Sequence, residues 1–368
     1  MQSRTAFSLA HDPEVAAAAI VAGLAPIRPR LLVYFASPVL DHAELSARFK
    51  AAFPAADCIG CTTAGELVSG QMLKKSVVAM ALPVETVAEA AVAVVRDVRS
   101  GDALAEAIRS LEATIGHPLR TVDPARYVGL ILIDGMSGME ESVMETLGDV
   151  TDVVFIGGSA GDDLAFRSTR VSANGESYEH AAVLALLRPA RPFEFLKTQS
   201  FVNLEKRLTP TKVDEATRTV LEFNGRAAAD AYAEALGVPR EDLATRFMSN
   251  PLGLMTGGRP YVRSPRVVTE SGGIAFYCGI REGIELSVLQ STQIVEDTTR
   301  ALANECANGP VSAIINFHCI LRTLELEQEG QTEAYGRVFA DVAMVGFSTY
   351  GEQFVGHINQ TAAMLLIR

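Results

Sequence analysis

The sequence predicts an α/β protein of two related modules with mixed sheets, built from repeated strand, helix, strand, glycine-turn, strand units. Three observations predict it. One such unit recurs three times along the chain, its strands are apolar at nearly every position, and helical stretches alternate with them. Near-continuous apolar strands indicate burial on both faces. Strands that alternate with helices indicate an α/β layering. At 368 residues the chain exceeds what one core serves, so two domains are expected, with the boundary near residue 222 and the segments 1–222 and 223–368.

The first element is a helix. Asp12 is placed to cap it, Pro13 suits its first turn, and Ala16-Ala17-Ala18-Ala19-Ile20-Val21 continues it. His11-Asp12-Pro13-Glu14 before it is not the basic segment of a secretion signal. The first copy then runs from the strand Leu31–Ser37 through a helix from Asp41 to Phe53. It turns at Gly60-Cys61-Thr62-Thr63-Ala64-Gly65-Glu66 and closes with Ser76–Leu82.

A looser copy follows, from Val128–Asp134 through a helix near Met139–Leu147 to Val153–Ile156. Its turn is Gly157-Gly158-Ser159-Ala160-Gly161-Asp162-Asp163, with the closing strand Ala181–Leu187. The last copy has the strand Ala313–Cys319, the turn Gly346-Phe347-Ser348-Thr349-Tyr350-Gly351-Glu352 and the strand Thr361–Ile367. Between them, Thr209-Pro210, Asn224-Gly225, Gly257-Gly258 and Gly272-Gly273 punctuate short strands and a helix from Arg226 to Leu236.

Composition narrows the function. A net charge of −12 repels a polyanion, and no run of Lys and Arg offsets it, so nucleic acid is not an expected partner. No apolar stretch approaches the roughly 20 residues that span a bilayer, so membrane insertion is not expected and cytoplasmic residence is. The five cysteines are an odd number and make no disulfide framework. Cys58-Ile59-Gly60-Cys61 spans a strand end and a turn, which suits two small core residues better than a redox pair or a zinc site.

The motifs, taken together, resemble the FIST family. GCTTAGE, GGSAGDDLAF and Asn174-Gly175 resemble its N-terminal domain. Pro251-Leu252-Gly253-Leu254, Tyr261-Val262-Arg263, Cys319-Ile320-Leu321-Arg322, GFSTYGEQ and His357-Ile358-Asn359-Gln360-Thr361 resemble its C-terminal domain. The resemblance runs from about Leu31 to Leu366. It implies a sensory protein for a small ligand, not an enzyme. In length and domain content the chain resembles the subgroup of haem-containing nitric-oxide sensors (NosP-type) that regulate a partner histidine kinase. That subgroup implies haem as cofactor and nitric oxide as signal; amino acids or similar metabolites are the other ligand class implied. His318 stands where relatives more often have Asn. A homodimer is left open.

The candidate site residues follow. Glycine turns permit close backbone approach and can cradle an anion, or serve turn geometry alone. Their hydroxyls and acids, Thr63, Glu66, Ser159, Asp162, Thr349 and Glu352, are candidate ligand contacts, with Asp163 beside them. Arg263 and Arg322 are candidate clamps for a carboxylate or a haem propionate. His357 is the candidate haem-iron ligand, because one imidazole suffices if gas binds opposite; Cys319 is the alternative. Gly157-Gly158-Ser159-Ala160-Gly161 also has the form of a nucleophile elbow, with Asp341 and His357 in hydrolase order. An elbow needs a helix directly after it, and this stretch heads for the Asn174-Gly175 turn instead. The repeat explains the pattern better, since the slot of Ser159 holds Thr63 and Thr349 in the other copies.

Overall fold

The computed structural model describes residues 2–368. Contacts divide the chain into two compact units. One takes the chain up to Thr198 together with Thr298–His357 and Ala362–Arg368; the other takes Gln199–Asp297 and Ile358–Thr361. Residue 222 lies inside the strand Thr219–Phe223 of the second unit. The 1–222 and 223–368 division concerns sequence segments and stays a proposal of that kind.

The first unit is three copies of one pattern: outer strand, first helix, lead strand, second helix, companion strand, hairpin, closing strand. In the first copy these are Arg4–Ser8, Pro13–Leu24, Leu31–Ala36, His42–Ala52, Asp57–Thr62, Glu66–Val68 with Gln71–Leu73, and Val77–Leu82. In the second they are Val87–Val95, Gly101–Ile115, Val128–Ile133, Glu140–Val150, Phe155–Ser159, Val171–Ala173 with Glu176–Tyr178, and Ala182–Pro189. In the third they are Phe193–Thr198, Ile294–Ala307, Ala313–Cys319, the helix pair Ile320–Gln328 and Thr332–Arg337, Met344–Thr349, Glu352–Phe354 with His357–Ile358, and Ala362–Ile367. The second unit therefore interrupts the third copy between its outer strand and its first helix, which is why the two units interleave along the chain.

Each lead strand pairs in parallel with its companion and antiparallel with its closing strand. Each outer strand then pairs antiparallel with the closing strand. The hairpins do not stay at home. The first copy's hairpin joins the companion strand of the third, the third's joins the second, and the second's joins the first. The exchange closes a cycle and completes three six-stranded sheets.

The inner faces of all three sheets share one core, to which Leu31, Val33 and Phe35, then Leu130 and Leu132, then Ile315 and Phe317 contribute. Phe35 lies 4.5 Å from Phe347 and 6.5 Å from Phe317 between ring centroids. Truncating one such ring to Ala costs about 3–5 kcal/mol. The outer faces of the first and second sheets carry helices on apolar layers. Ile20, Leu24, Leu32, Tyr34, Leu45 and Phe49 form the first; Leu104, Ile108, Leu111, Ile131, Ile133 and Val143 form the second. With both faces covered, the strands lack polar alternation. Asp12, Asp41 and Ser100 cap three of these helices through Val15, Glu44 and Ala103 amides.

The second unit is built differently, from two antiparallel sheets and the helix Ala228–Leu236 around Val220, Phe223, Tyr232, Phe247, Leu252 and Phe276. Among the described residues of the whole chain, no helix is long and apolar enough to cross a membrane.

Candidate functional site

The expected glycine turns begin as strand: Gly60, Gly157 and Gly346 lie inside the companion strands Asp57–Thr62, Phe155–Ser159 and Met344–Thr349. An added Cβ at Gly60, Gly157 or Gly346 would strike the carbonyl oxygen of Tyr34, Ile131 or Asn316 on the neighbouring lead strand. These three glycines are therefore equivalent positions. Two residues on, Thr62, Ser159 and Ser348 each send their amide to a donated segment: Thr62 to Arg170 O at 2.9 Å, Ser159 to Gly351 O at 2.9 Å, and Ser348 to Gly65 O at 2.7 Å. Ser159 thus matches Thr62 and Ser348, and its expected equivalence to Thr63 and Thr349 is off by one. The cause is a longer segment between turn and hairpin in the second copy, which misled an alignment on the second glycine and the acid.

With the register corrected, Thr63 and Thr349 correspond to Ala160 of the second copy, and Glu66 and Glu352, which open their hairpins, correspond to Val171. Thr63 Oγ1 donates to Glu66, and Thr349 Oγ1 donates to Glu352 at 2.6 Å. Glu66 also accepts from Ser76 N at 3.1 Å and Ser76 Oγ at 2.6 Å. Burial pushes Glu66 up to about 7 against those hydrogen bonds. The second copy replaces hydroxyl and carboxylate together with two apolar residues that join the inner core. All four of Thr63, Glu66, Thr349 and Glu352 are at most 1% exposed.

Asp162 belongs to the longer segment. It accepts from Tyr350 Oη at 2.5 Å and from the amides of Phe166, Arg167 and Ser168 at 2.8, 2.6 and 3.1 Å. Burial works to raise its pKa, but these donors outweigh burial and hold it below the ordinary value. Asp163 accepts from Ser37 Oγ at 2.8 Å, and burial raises it. Both acids order the segment locally.

His357, 4% exposed, connects to Ser159 through Gln353. Gln353 Nε2 lies 3.0 Å from Ser159 Oγ, 3.3 Å from Gly351 O and 3.2 Å from His357 Nδ1. The Gly351 carbonyl can only accept, which fixes that end of the amide as the donor. Its two protons face three neighbours, and where one goes to His357 Nδ1 that nitrogen accepts. His357 as packed is a buried side chain held against Gln353. Cys319 is 1% exposed at the end of its strand. The stretch after Ser159 enters the segment 161–170 and not a helix, and Gln353 takes the place where a general base would touch the hydroxyl.

Cys58 and Cys61 point to opposite faces of one strand, Cys58 into the outer layer and Cys61 into the inner core. They cannot pair. Burial raises the Cys58 thiol to about 12 and Cys61 well above its usual value.

The two arginines part company. Arg263 belongs to the second unit, half-buried, with Nη1 on Val262 O at 3.3 Å. Arg322 belongs to the first unit and is among its largest fully buried side chains, 1% exposed. It sits in the outer layer of the third copy. There the lead strand turns Asn316 and His318 outward, at the positions held by Tyr34 and Ala36 in the first copy and by Ile131 and Ile133 in the second. Thr298, Arg322 and Tyr335 come from the three helices over this sheet. Arg322 Nη2 donates to Thr298 Oγ1 at 3.2 Å, and Tyr335 Oη lies 3.0 Å from His318 Nδ1.

Asn316 Nδ2 and Oδ1, His318 Nε2, and Arg322 Nε and Nη1 are buried and have no hydrogen-bond partner among the described residues. Burial, then the Arg322 charge, drives His318 well below its ordinary pKa, so the ring is neutral. Burial raises Tyr335, with Arg322, Asn316 and Thr298 pulling the other way. Asn316, Tyr335 and Thr298 escaped the sequence reading. The signal was present in Ala313–Cys319: two polar residues two apart in an otherwise apolar strand share one face.

Two clefts open on the first unit. One of about 400 Å³ lies among Val92, Arg96, Glu106, Asn174 and Tyr178; the other, of about 270 Å³, among Leu73, Lys74, Thr323, Glu327 and Ser348. None of the expected site residues lines either.

Three mixed sheets joined by exchanged hairpins thus surround one core, and the outer layer of the third copy holds a cluster of buried polar side chains. The FIST N domain matches residues 30–226 and the FIST C domain residues 228–355, and the chain belongs to the FIST family. FIST domains are sensory, signal-transduction domains that bind small ligands. The chain is also similar to an uncharacterized protein of Methanocaldococcus jannaschii, 22% identical over 294 residues, which cover 74% of this chain and 56% of that one. The match thus spans little more than half of that relative's length.

Proposed function

We propose that this protein is a small-ligand sensor whose ligand sits in the polar chamber of the third copy, beside Asn316, His318 and Arg322. One observation carries the reading: those three side chains keep five polar atoms buried without partners, where the second copy has Ile131 and Ile133 at the two strand positions. Each unsatisfied buried group costs about 1–3 kcal/mol, a cost that a ligand's own polar atoms remove. The output we propose, on the family resemblance, is an altered contact with a partner histidine kinase, read as a ligand-dependent change in kinase autophosphorylation. Cytoplasmic residence and a homodimer belong to the same proposal; sedimentation measures the second.

A thermal-shift screen of small metabolites tests the ligand. A compound at 100 times its Kd stabilises by about 2.7 kcal/mol, and Asn316→Leu is expected to erase that shift. Haem and nitric oxide are the competing ligand reading. A Soret band on adding haemin, lost in His357→Ala, would overturn the chamber in favour of haem.

A further inference from the structure

The chamber's chemistry is lopsided. Arg322 brings a guanidinium, and burial makes an unbalanced charge costly. Its Nη2 uses a proton on Thr298, while Nε–H and Nη1–H₂ find no acceptor among the described residues. Glu325, one turn along the same helix, is also buried and has an interaction of its own. Tyr335 Oη lies 3.0 Å from His318 Nδ1, and with the phenol donating, the neutral ring carries its own proton on Nε2. Asn316 adds an NH₂ group. The unpaired atoms are thus four donors, on Arg322, His318 and Asn316, and one acceptor, Asn316 Oδ1.

From this geometry, and resting on the chamber as the ligand site, we infer that the ligand is a small carboxylate with no ammonium group beside it. A planar pair of anionic oxygens takes the fork of Arg322 and the His318 N–H as charge-assisted hydrogen bonds. An ammonium would stand against the Arg322 charge with a single amide oxygen to receive it, which a zwitterionic amino acid cannot avoid. His318 sets specificity, because its neutral N–H donor adds a hydrogen bond to the anion without adding charge.

Calorimetry on the full chain tests this with three matched sets: straight-chain and aromatic acids from acetate to benzoate, their primary amides, and the 2-amino derivatives of the acids. The expected result is binding by at least one acid, with its amide and its amino derivative about tenfold weaker or worse. Arg322→Lys keeps the charge and loses the fork, so it is expected to weaken the acid about tenfold; His318→Phe removes the N–H and acts in the same direction. Amides that bind as tightly as acids, with binding lost in Asn316→Leu, overturn the carboxylate and leave the chamber standing. Acid binding untouched by Arg322→Lys, His318→Phe and Asn316→Leu places the site elsewhere and overturns both. So does the absence of binding by every member of the three sets.

Discussion

The second and third copies share a backbone plan and differ in what lies between sheet and helices. In the second, Ile131 and Ile133 pack into a layer with Leu104, Ile108, Leu111 and Val143. In the third, the same two strand positions are Asn316 and His318, under a buried arginine. The strands pair identically, so the repeat itself tolerates either filling. Stability of the ring comes from the inner core and the exchanged hairpins, which all copies share. That leaves the outer layer of one copy at liberty to carry polar groups.

The comparison is broken most severely by giving the second copy the third's residue. Ile131→Asn places an unpaired amide in an apolar layer and removes packing, and is expected to cost roughly 4 kcal/mol in urea denaturation. A cost under about 1 kcal/mol would mean that the second layer already holds polar groups well.

Next in size is the buried carboxylate that the first copy has and the second lacks. The folded state holds Glu66 protonated up to about pH 7, whereas the unfolded chain releases that proton near 4.5. The folded state binds the extra proton between these values, so stability falls as pH rises from 4.5 to 7, by about 3 kcal/mol in all. Glu66→Gln is expected to lose that slope, seen by comparing urea midpoints at acid and neutral pH. An unchanged slope would assign it to other groups.

Smaller again is the reverse graft. Asn316→Leu combined with Arg322→Met makes the third layer resemble the second. It is expected to stabilise the protein by about 2 kcal/mol while abolishing ligand response, because a buried charge is exchanged for packing. Destabilisation would show that the polar groups hold the helices in place. The smallest effect belongs to the Lys74–Glu327 pair, 2.6 Å, which ties the donated first hairpin to a helix of the third copy. Lys74→Ala is expected to change the thermal midpoint by less than about 1 kcal/mol equivalent, since the lysine is 59% exposed.

The lead and closing strands of every copy were legible in the sequence because burial on both faces leaves them apolar throughout, whereas Gly60-Cys61-Thr62 and Gly346-Phe347-Ser348-Thr349 read as turns and are the ends of the companion strands. The outer strand and first helix were not recognised as part of the repeat. In the third copy the inserted unit separates Phe193–Thr198 from Ile294–Ala307, which hides the pattern. The hairpins are strands of two or three residues whose partners lie 100 or more positions away, and local pattern carries no trace of that pairing. In the site, Arg322 was legible and its neighbours were not. Asn316 and His318 stand on the same strand, but Thr298 and Tyr335 reach them only through the fold. The turn residues Thr63, Glu66, Thr349 and Glu352 were legible as a recurring set; their mutual pairing inside the ring was not.

The cyclic trade of hairpins has one more consequence. A free-standing copy would own a hairpin with nowhere to dock and a companion strand with an open edge. Three such chains would satisfy one another head to tail, each giving to one neighbour and receiving from the other, and the rotation would close after the third. The three copies in this single chain are, in that sense, a homotrimer whose subunits have been joined end to end, with freedom for each to diverge that identical subunits never have.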